Sequence, residues 1–218
     1  MNKTPLIAPS LLSADFCNLE RDIRLLNRSN CDWYHLDVMD GVFVPNISFG
    51  FPVMEAMARV ATKPLDVHLM IVEPEKFVPQ VKALGAHVMN VHQEATTHLH
   101  RLLGQIRREG MLSGVTLNPS TSLTTIEDIL EEADVVMLMS VNPGFAGQRF
   151  IPHTIEKVRR LREMIDRRNL NTLIEVDGGV SRANAAQLVE AGADVLVAGS
   201  AVFKALDPLQ EINILKEC

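Results

Sequence analysis

The sequence predicts an α/β fold in which parallel strands alternate with helices and close into a (βα)8 barrel. Three observations carry this. Short β-branched and apolar runs recur eight times in 218 residues, each followed by an amphipathic stretch, and such alternation implies a parallel sheet. The joints from helix to strand look alike: Gly85-Ala86-His87-Val88, Ala133-Asp134-Val135 and Gly192-Ala193-Asp194-Val195 each end a helix and open a strand, and glycine is the usual left-handed helix cap. The first strand ends Ala8-Pro9-Ser10, without the G-x-G-x-x-G turn of a doubly wound sheet.

The strands are expected near Leu6–Pro9, Trp33–Val38, Leu65–Leu69, Val88–His92, Gly114–Leu117, Val135–Met139, Leu173–Val176 and Val195–Ala198. Phe16, Leu19, Ile23 and Leu26 fall at helical spacing and define one face of the first helix, with Asp15 or Ser13 as its cap. Pro152 suits the first turn of the sixth helix. There Ile155, Val158, Leu161 and Ile165 form the apolar face, which leaves Lys157, Arg159, Arg160, Arg162, Arg167 and Arg168 as a solvated basic face. No linker, low-complexity tract or charge block divides the chain, so residues 1–218 read as a single barrel domain.

Composition excludes several classes of function. The net charge is −6, and no aromatic residues interleave with the one basic stretch, so a nucleic-acid partner is not expected. The longest apolar run, Val135–Met139, is far short of the roughly 18 residues of a membrane span. The lead from Met1 to Pro5 is too short for a signal peptide. Three cysteines (Cys17, Cys31, Cys218) are odd in number and form no C-x-x-C pair, which points to a reduced, cytoplasmic setting. Small barrels commonly associate, so a homo-oligomer is expected.

In such a barrel the chemistry sits at the C-terminal ends of the strands. Period-two alternation puts His35, Asp37 and Met39 on one face of the second strand, Asp66, His68 and Met70 on one face of the third, and Glu175 with Asp177 on the seventh. The fourth strand ends in Asn90 and His92. Buried carboxylates must neutralise one another or meet a cation. His35, Asp37, His68 and Asp177 therefore read either as a site for one divalent ion of the Zn, Fe, Mn or Co type or as a hydrogen-bonded polar layer without metal. Spacing alone does not choose between them.

Glycines form a second signal on the same rim. Gly144-Phe145-Ala146-Gly147 follows the sixth strand, Gly178-Gly179 the seventh and Gly199-Ser200 the eighth, where barrels commonly hold a phosphate on backbone N–H groups. Met39, Met70 and Met139 end strands, either as core filler or as an apolar lid. The lysines all lie off the strand ends, against a Schiff-base mechanism. There is no G-x-S-x-G elbow and no Walker loop.

These segments resemble the ribulose-phosphate 3-epimerase family. The resemblance is carried by residues 8–16, the gapless stretch from His35 to Asn46, Leu65–Met70, Val91–Ala95, Val141–Phe145, Glu175–Gly179 and Ala198–Phe203. It implies a TIM barrel of the ribulose-phosphate binding type that interconverts D-ribulose 5-phosphate and D-xylulose 5-phosphate in the pentose phosphate pathway. It also implies one divalent ion on His35, Asp37, His68 and Asp177. Asp37 would be the base and Asp177 the acid on opposite faces of C3, acting through a cis-enediolate. Ser10, His68, Asp177, the loop from Gly144 through Phe145 and Ala146 to Gly147, Gly178, Gly179, Gly199 and Ser200 would contact the small phosphorylated ketose. Met39, Met70 and Met139 would be the active-site lid. One departure is Ala146, where the family commonly has glycine. It keeps a hexulose-6-phosphate (allulose-type) 3-epimerase as an alternative, beside a non-catalytic barrel scaffold. A related metal-independent decarboxylase is disfavoured, because such relatives place a lysine where this chain has His68.

Overall fold

The computed structural model describes residues 4–218; Met1, Asn2 and Lys3, on which part of the signal-peptide and lysine readings rests, lie outside them. Eight parallel strands, β1 (Leu6–Pro9), β2 (Tyr34–Met39), β3 (Leu65–Met70), β4 (Val88–His92), β5 (Leu112–Leu117), β6 (Val135–Met139), β7 (Leu173–Asp177) and β8 (Val195–Ala198), form one sheet. Each lies within two residues of its expected bounds. Strand order runs around a ring, β1-β8-β7-β6-β5-β4-β3-β2. The two ends meet where Asp32 N–H donates to Ile7 O at 2.8 Å and Ser10 bridges His35.

Helices α1 (Leu19–Asn27), α2 (Phe51–Val60), α3 (Val78–Ala83), α4 (Leu99–Arg108), α5 (His153–Arg167), α6 (Ala185–Glu190), α7 (Ser200–Phe203) and α8 (Pro208–Lys216) surround the sheet, and a 3-10 segment over Leu123–Glu132 follows β5. Gly85 and Gly192 take left-handed φ of 76° and 110° at the helix-to-strand joints, as the repeated joint predicted. Outward-facing strand residues such as Leu36, Val67 and Val136 pack with Ile23, Leu102 and Leu161 of the helices in one continuous core. Inside the barrel, Trp33, Val88, Val135 and Val195 close the N-terminal mouth, with Leu6, Leu112 and Leu173 against them. The polar strand-end residues therefore rest on an apolar floor.

Two local expectations are corrected. Asn18, not Asp15 or Ser13, is the cap residue of α1. Asp22, inside that helix, reaches back to accept the Asp15 N–H at 2.9 Å. Asp15 in turn accepts the Cys17 N–H. Phe16 thus lies in the turn before the helix, half-exposed against Phe49 with ring centroids 5.7 Å apart. On α5 the basic face is not uniformly solvated. Lys157 is buried and donates to Asn118 O at 2.9 Å, because its position falls on the same inward face as Thr154 and Leu161.

Candidate active site

The inward-facing residues of β2, β3, β4 and β7 build two polar tiers. Parallel register sets His35 beside Asp66 and Asp37 beside His68, so each histidine gains a carboxylate neighbour on the adjoining strand. In the lower tier His35 Nδ1 makes a short bond to Asp66 Oδ2. Asn90 Nδ2 donates to Asp66 Oδ1 at 2.8 Å and to Glu175 Oε2 at 3.0 Å. All four side chains are buried.

In the upper tier Asp37 Oδ1 lies 3.0 Å from His68 Nδ1 and 3.3 Å from His35 Nε2. Ser10 Oγ donates to the other oxygen, Oδ2, at 2.5 Å. Asp177 Oδ2 lies 3.8 Å from His68 Nδ1. One ligand atom from each of His35, Asp37, His68 and Asp177 falls within 4.8 Å of the other three. Two imidazole nitrogens and two carboxylate oxygens so converged fit a divalent ion of borderline softness. The bond from His35 Nδ1 to Asp66 leaves Nε2 turned toward that point, the usual support for a metal-binding histidine.

Burial and charge sort the carboxylates. Burial alone would raise Asp37, but the His35 charge and hydrogen bonds from both histidines hold it far below the usual carboxylate range. Asp177 is pushed up to about 7 by burial and by the Asp37 charge beside it. Burial and the Asp66 charge push Glu175 well above the usual carboxylate range. Burial opposes a charge on His35, yet Asp66 and Asp37 together raise it well above its ordinary value. His68 is pushed down to about 4, chiefly by burial. Their surroundings thus push Asp37 and Asp177, two carboxylates that face one space, in opposite directions.

Above these tiers opens a cleft of about 520 Å³. Its walls include Ser10, Asp37 and Asp177, the three methionines Met39, Met70 and Met139, and every expected rim residue: Gly144, Phe145, Ala146, Gly147, Gly178, Gly179, Gly199 and Ser200. His35 and His68 are buried beneath it. Met39 and Met70 pack with Val44, beside Phe43 and Leu12, in one small apolar cluster. The β6 loop is tied down by Asn46 Nδ2, which donates to Gly144 O at 2.9 Å. Within that loop Gln148 Nε2 donates to Asn142 O and Phe145 O.

Two glycines are sterically required. A Cβ at Gly178, whose φ is 117°, would meet Val141 Cγ2 at 2.4 Å, and one at Gly179 would meet Phe150 N at 2.8 Å. Their backbone can therefore line the cleft only without side chains. Ala146 is not among the described residues with left-handed φ, so its methyl adds no backbone strain. The sequence placed Asp66, Asn90 and Glu175 on the right strand faces but gave them no part in the site. The signal was there as an acid two residues before both His68 and Asp177. Nothing in the sequence pointed to Asn46 or Gln148 as loop anchors.

Over residues 6–203 the chain matches a family model described as the ribulose-phosphate 3 epimerase family. It is 51% identical over 207 residues to the ribulose-phosphate 3-epimerase of Synechocystis sp., covering 94% of this chain and 90% of that one. It is 50% identical over 213 residues to the chloroplastic ribulose-5-phosphate-3-epimerase of Arabidopsis thaliana, covering 97% and 76%. Among solved structures, a mutant tryptophan synthase alpha-subunit from Pyrococcus furiosus superposes with a TM-score of 0.70 at 16% identity, covering 100% and 97%. That likeness speaks for the barrel fold alone.

Proposed function

The chain belongs to the ribulose-phosphate 3-epimerase family, and from that premise we propose how its own residues interconvert D-ribulose 5-phosphate and D-xylulose 5-phosphate. The observation that carries the reading is the convergence of Asp37 and Asp177, from different strands, on one cleft. β2 and β7 stand on different sides of the ring, with β1 and β8 between them. Epimerising C3 beside the C2 ketone needs a proton removed from one face and another returned to the opposite face. Asp37 is the base on one face and Asp177 the acid on the other; in the reverse direction their roles exchange.

His35, Asp37, His68 and Asp177 would hold one divalent ion of the Zn, Fe, Mn or Co type. When bound, that ion supplies Lewis-acid stabilisation of the charge that develops on the ketose oxygens. Met39, Met70 and Met139 keep water from the enediolate. Ser10 fixes the Asp37 carboxylate, and His68 lies below the substrate. The backbone of Gly144–Gly147, Gly178, Gly179, Gly199 and Ser200 receives the phosphate. With a net charge of −6, the chain attracts an anion through these local N–H dipoles rather than its overall field.

The acid–base pair and the donor set are complete, which leaves the scaffold reading without a lost residue to rest on. The three free cysteines fit a reduced cytoplasm, and no described helix is long and apolar enough to cross a membrane. Val42 and Ile47, 72% and 75% exposed, suit an association of copies, which sedimentation would read. The deciding test is kcat/KM on D-ribulose 5-phosphate against D-allulose 6-phosphate, before and after chelation and after a divalent ion is restored. A clear preference for the pentulose, lost on chelation, is expected. A preference for the hexulose would reverse the substrate assignment.

A further inference from the structure

Beside His68, and outside the walls of the cleft, lie the buried His92 and the partly buried Glu94 side chain, which the reaction itself does not use. His68 Nδ1 faces Asp37, His35 and Asp177, while its Nε2 lies 2.8 Å from His92 Nε2. The two rings are inclined by only 24° with centroids 5.0 Å apart, so they meet nearly edge to edge. His92 Nδ1 is buried and makes no hydrogen bond; the Glu94 Oε2 carboxylate oxygen lies 3.4 Å from it. Glu94 is itself fixed: its Oε1 accepts the Asn118 N–H at 3.0 Å and a short bond from Thr121 Oγ1.

Two neutral imidazoles that meet nitrogen to nitrogen share one proton, and each ring carries only one N–H. If His92 Nε2 holds the shared proton, His68 must carry its own on Nδ1, pointing into the donor cluster, where it blocks a cation. If His68 Nε2 holds it, Nδ1 offers a lone pair to the cluster, and His92 must carry its proton on Nδ1. The Asp37 carboxylate, 3.0 Å from His68 Nδ1, favours the first arrangement when no ion is bound. A cation at His68 Nδ1 or an acceptor at His92 Nδ1 favours the second, and the Glu94 carboxylate, 3.4 Å from His92 Nδ1, is that acceptor.

We propose that Glu94 and His92 are positioning residues that fix His68 in its Nε2–H tautomer and thereby keep Nδ1 open for the divalent ion. The inference rests on the metal reading of His35, Asp37, His68 and Asp177. It extends that site to a third layer of control, reached through two successive side chains. No group is consumed: binding the ion only selects which ring nitrogen carries each proton.

Glu94→Gln inverts the relay. Asn118 N–H and Thr121 Oγ1 keep the amide oxygen on their side, so the amide NH2 faces His92 Nδ1 and donates to it. His92 must then hold its proton on Nε2, and His68 on Nδ1. The experiment uses 15N-labelled protein, with Zn2+ alone as probe, titrated against a chelator of known affinity. Histidine tautomers are read from long-range 1H–15N correlations.

The Zn2+-loaded wild type should show His68 as Nε2–H and His92 as Nδ1–H, a readout that depends on no variant. Glu94→Gln should bind Zn2+ roughly 10–100-fold more weakly, with His92 switched to Nε2–H. Equal affinity with unchanged tautomers in Glu94→Gln, or His92 as Nε2–H in the loaded wild type, would overturn the relay while leaving the metal site standing. Failure of the wild type to bind Zn2+ would instead overturn the metal reading, and the relay with it.

Discussion

Ser10 Oγ holds Asp37 Oδ2 at 2.5 Å, while Asp37 Oδ1 faces His68 Nδ1 at 3.0 Å. One carboxylate thus divides its work: one oxygen belongs to the donor cluster, and the other is steadied by a hydroxyl at the end of β1. A hydrogen bond to a charged group contributes about 1.5–3 kcal/mol. Ser10→Ala should therefore lower kcat/KM by about 10–100-fold while the protein still takes up one metal equivalent. Steady-state kinetics beside metal analysis checks this. Loss of the metal together with activity would show that Ser10 supports the cluster rather than the base.

In the proposed mechanism Asp37 and Asp177 serve different faces of C3, and so they make separable predictions. Each change to Asn should cut epimerisation by about 10²–10⁴-fold, the usual worth of a positioned acid or base. Asp177→Asn keeps the base on the Asp37 face, so it should still exchange the C3 proton with solvent deuterium, without inversion, as seen by NMR. Wild-type rates in both variants would remove the two-carboxylate assignment. Met39→Leu, which changes only an apolar contact with Met70 and Val44, should cost far less than either.

Gly114 looks like an ordinary strand glycine, yet a Cβ there would sit 1.9 Å from Asn90 Oδ1. Asn90 is the side chain that joins Asp66 to Glu175. Gly114→Ala must push it aside and leave two buried carboxyl groups short of a donor. The expected cost is about 2–4 kcal/mol, typical of a broken buried polar network. Urea denaturation of the variant reads it directly. A variant as stable as wild type would mean that Asn90 can move at little cost.

Gly114 also marks the limit of what the sequence discloses. Period-two alternation was enough to place His35, Asp37, His68 and Asp177 on inward faces, because strand geometry depends only on neighbours along the chain. The quartet converges because parallel register aligns β2 with β3 and the ring brings β7 across to them. That much follows from counting eight βα units. The Gly114 contact with Asn90, the clamp of Asn46 on Gly144 and the reach of Lys157 to Asn118 each join segments whose approach depends on side-chain packing. No local pattern announces them. The misplaced Phe16 has the same origin, since the reach of Asp22 back to Asp15 outweighed a helical spacing that continued one turn too far.

Lys157 gives a prediction with a definite sign. It is buried on the inner face of α5, and burial pushes its ammonium down to about 8 despite the favourable field of Glu94. In the unfolded chain it titrates near the ordinary lysine value of about 10.4. Between about pH 8 and that value the unfolded state binds more protons than the folded one, so this residue makes the protein more stable as pH rises through the window. Below about 8 it is charged in both states, and the burial cost is felt in full. Lys157→Met lacks this titration. The stability of wild type relative to Lys157→Met should therefore climb by about 1–3 kcal/mol from pH 8 to pH 10.5, with other titrating groups cancelling in the difference. Urea midpoints of both proteins at three pH values would show it. A flat difference would mean that Lys157 reaches solvent and keeps an ordinary pKa, whereas a falling one would require a partner that stabilises its charge.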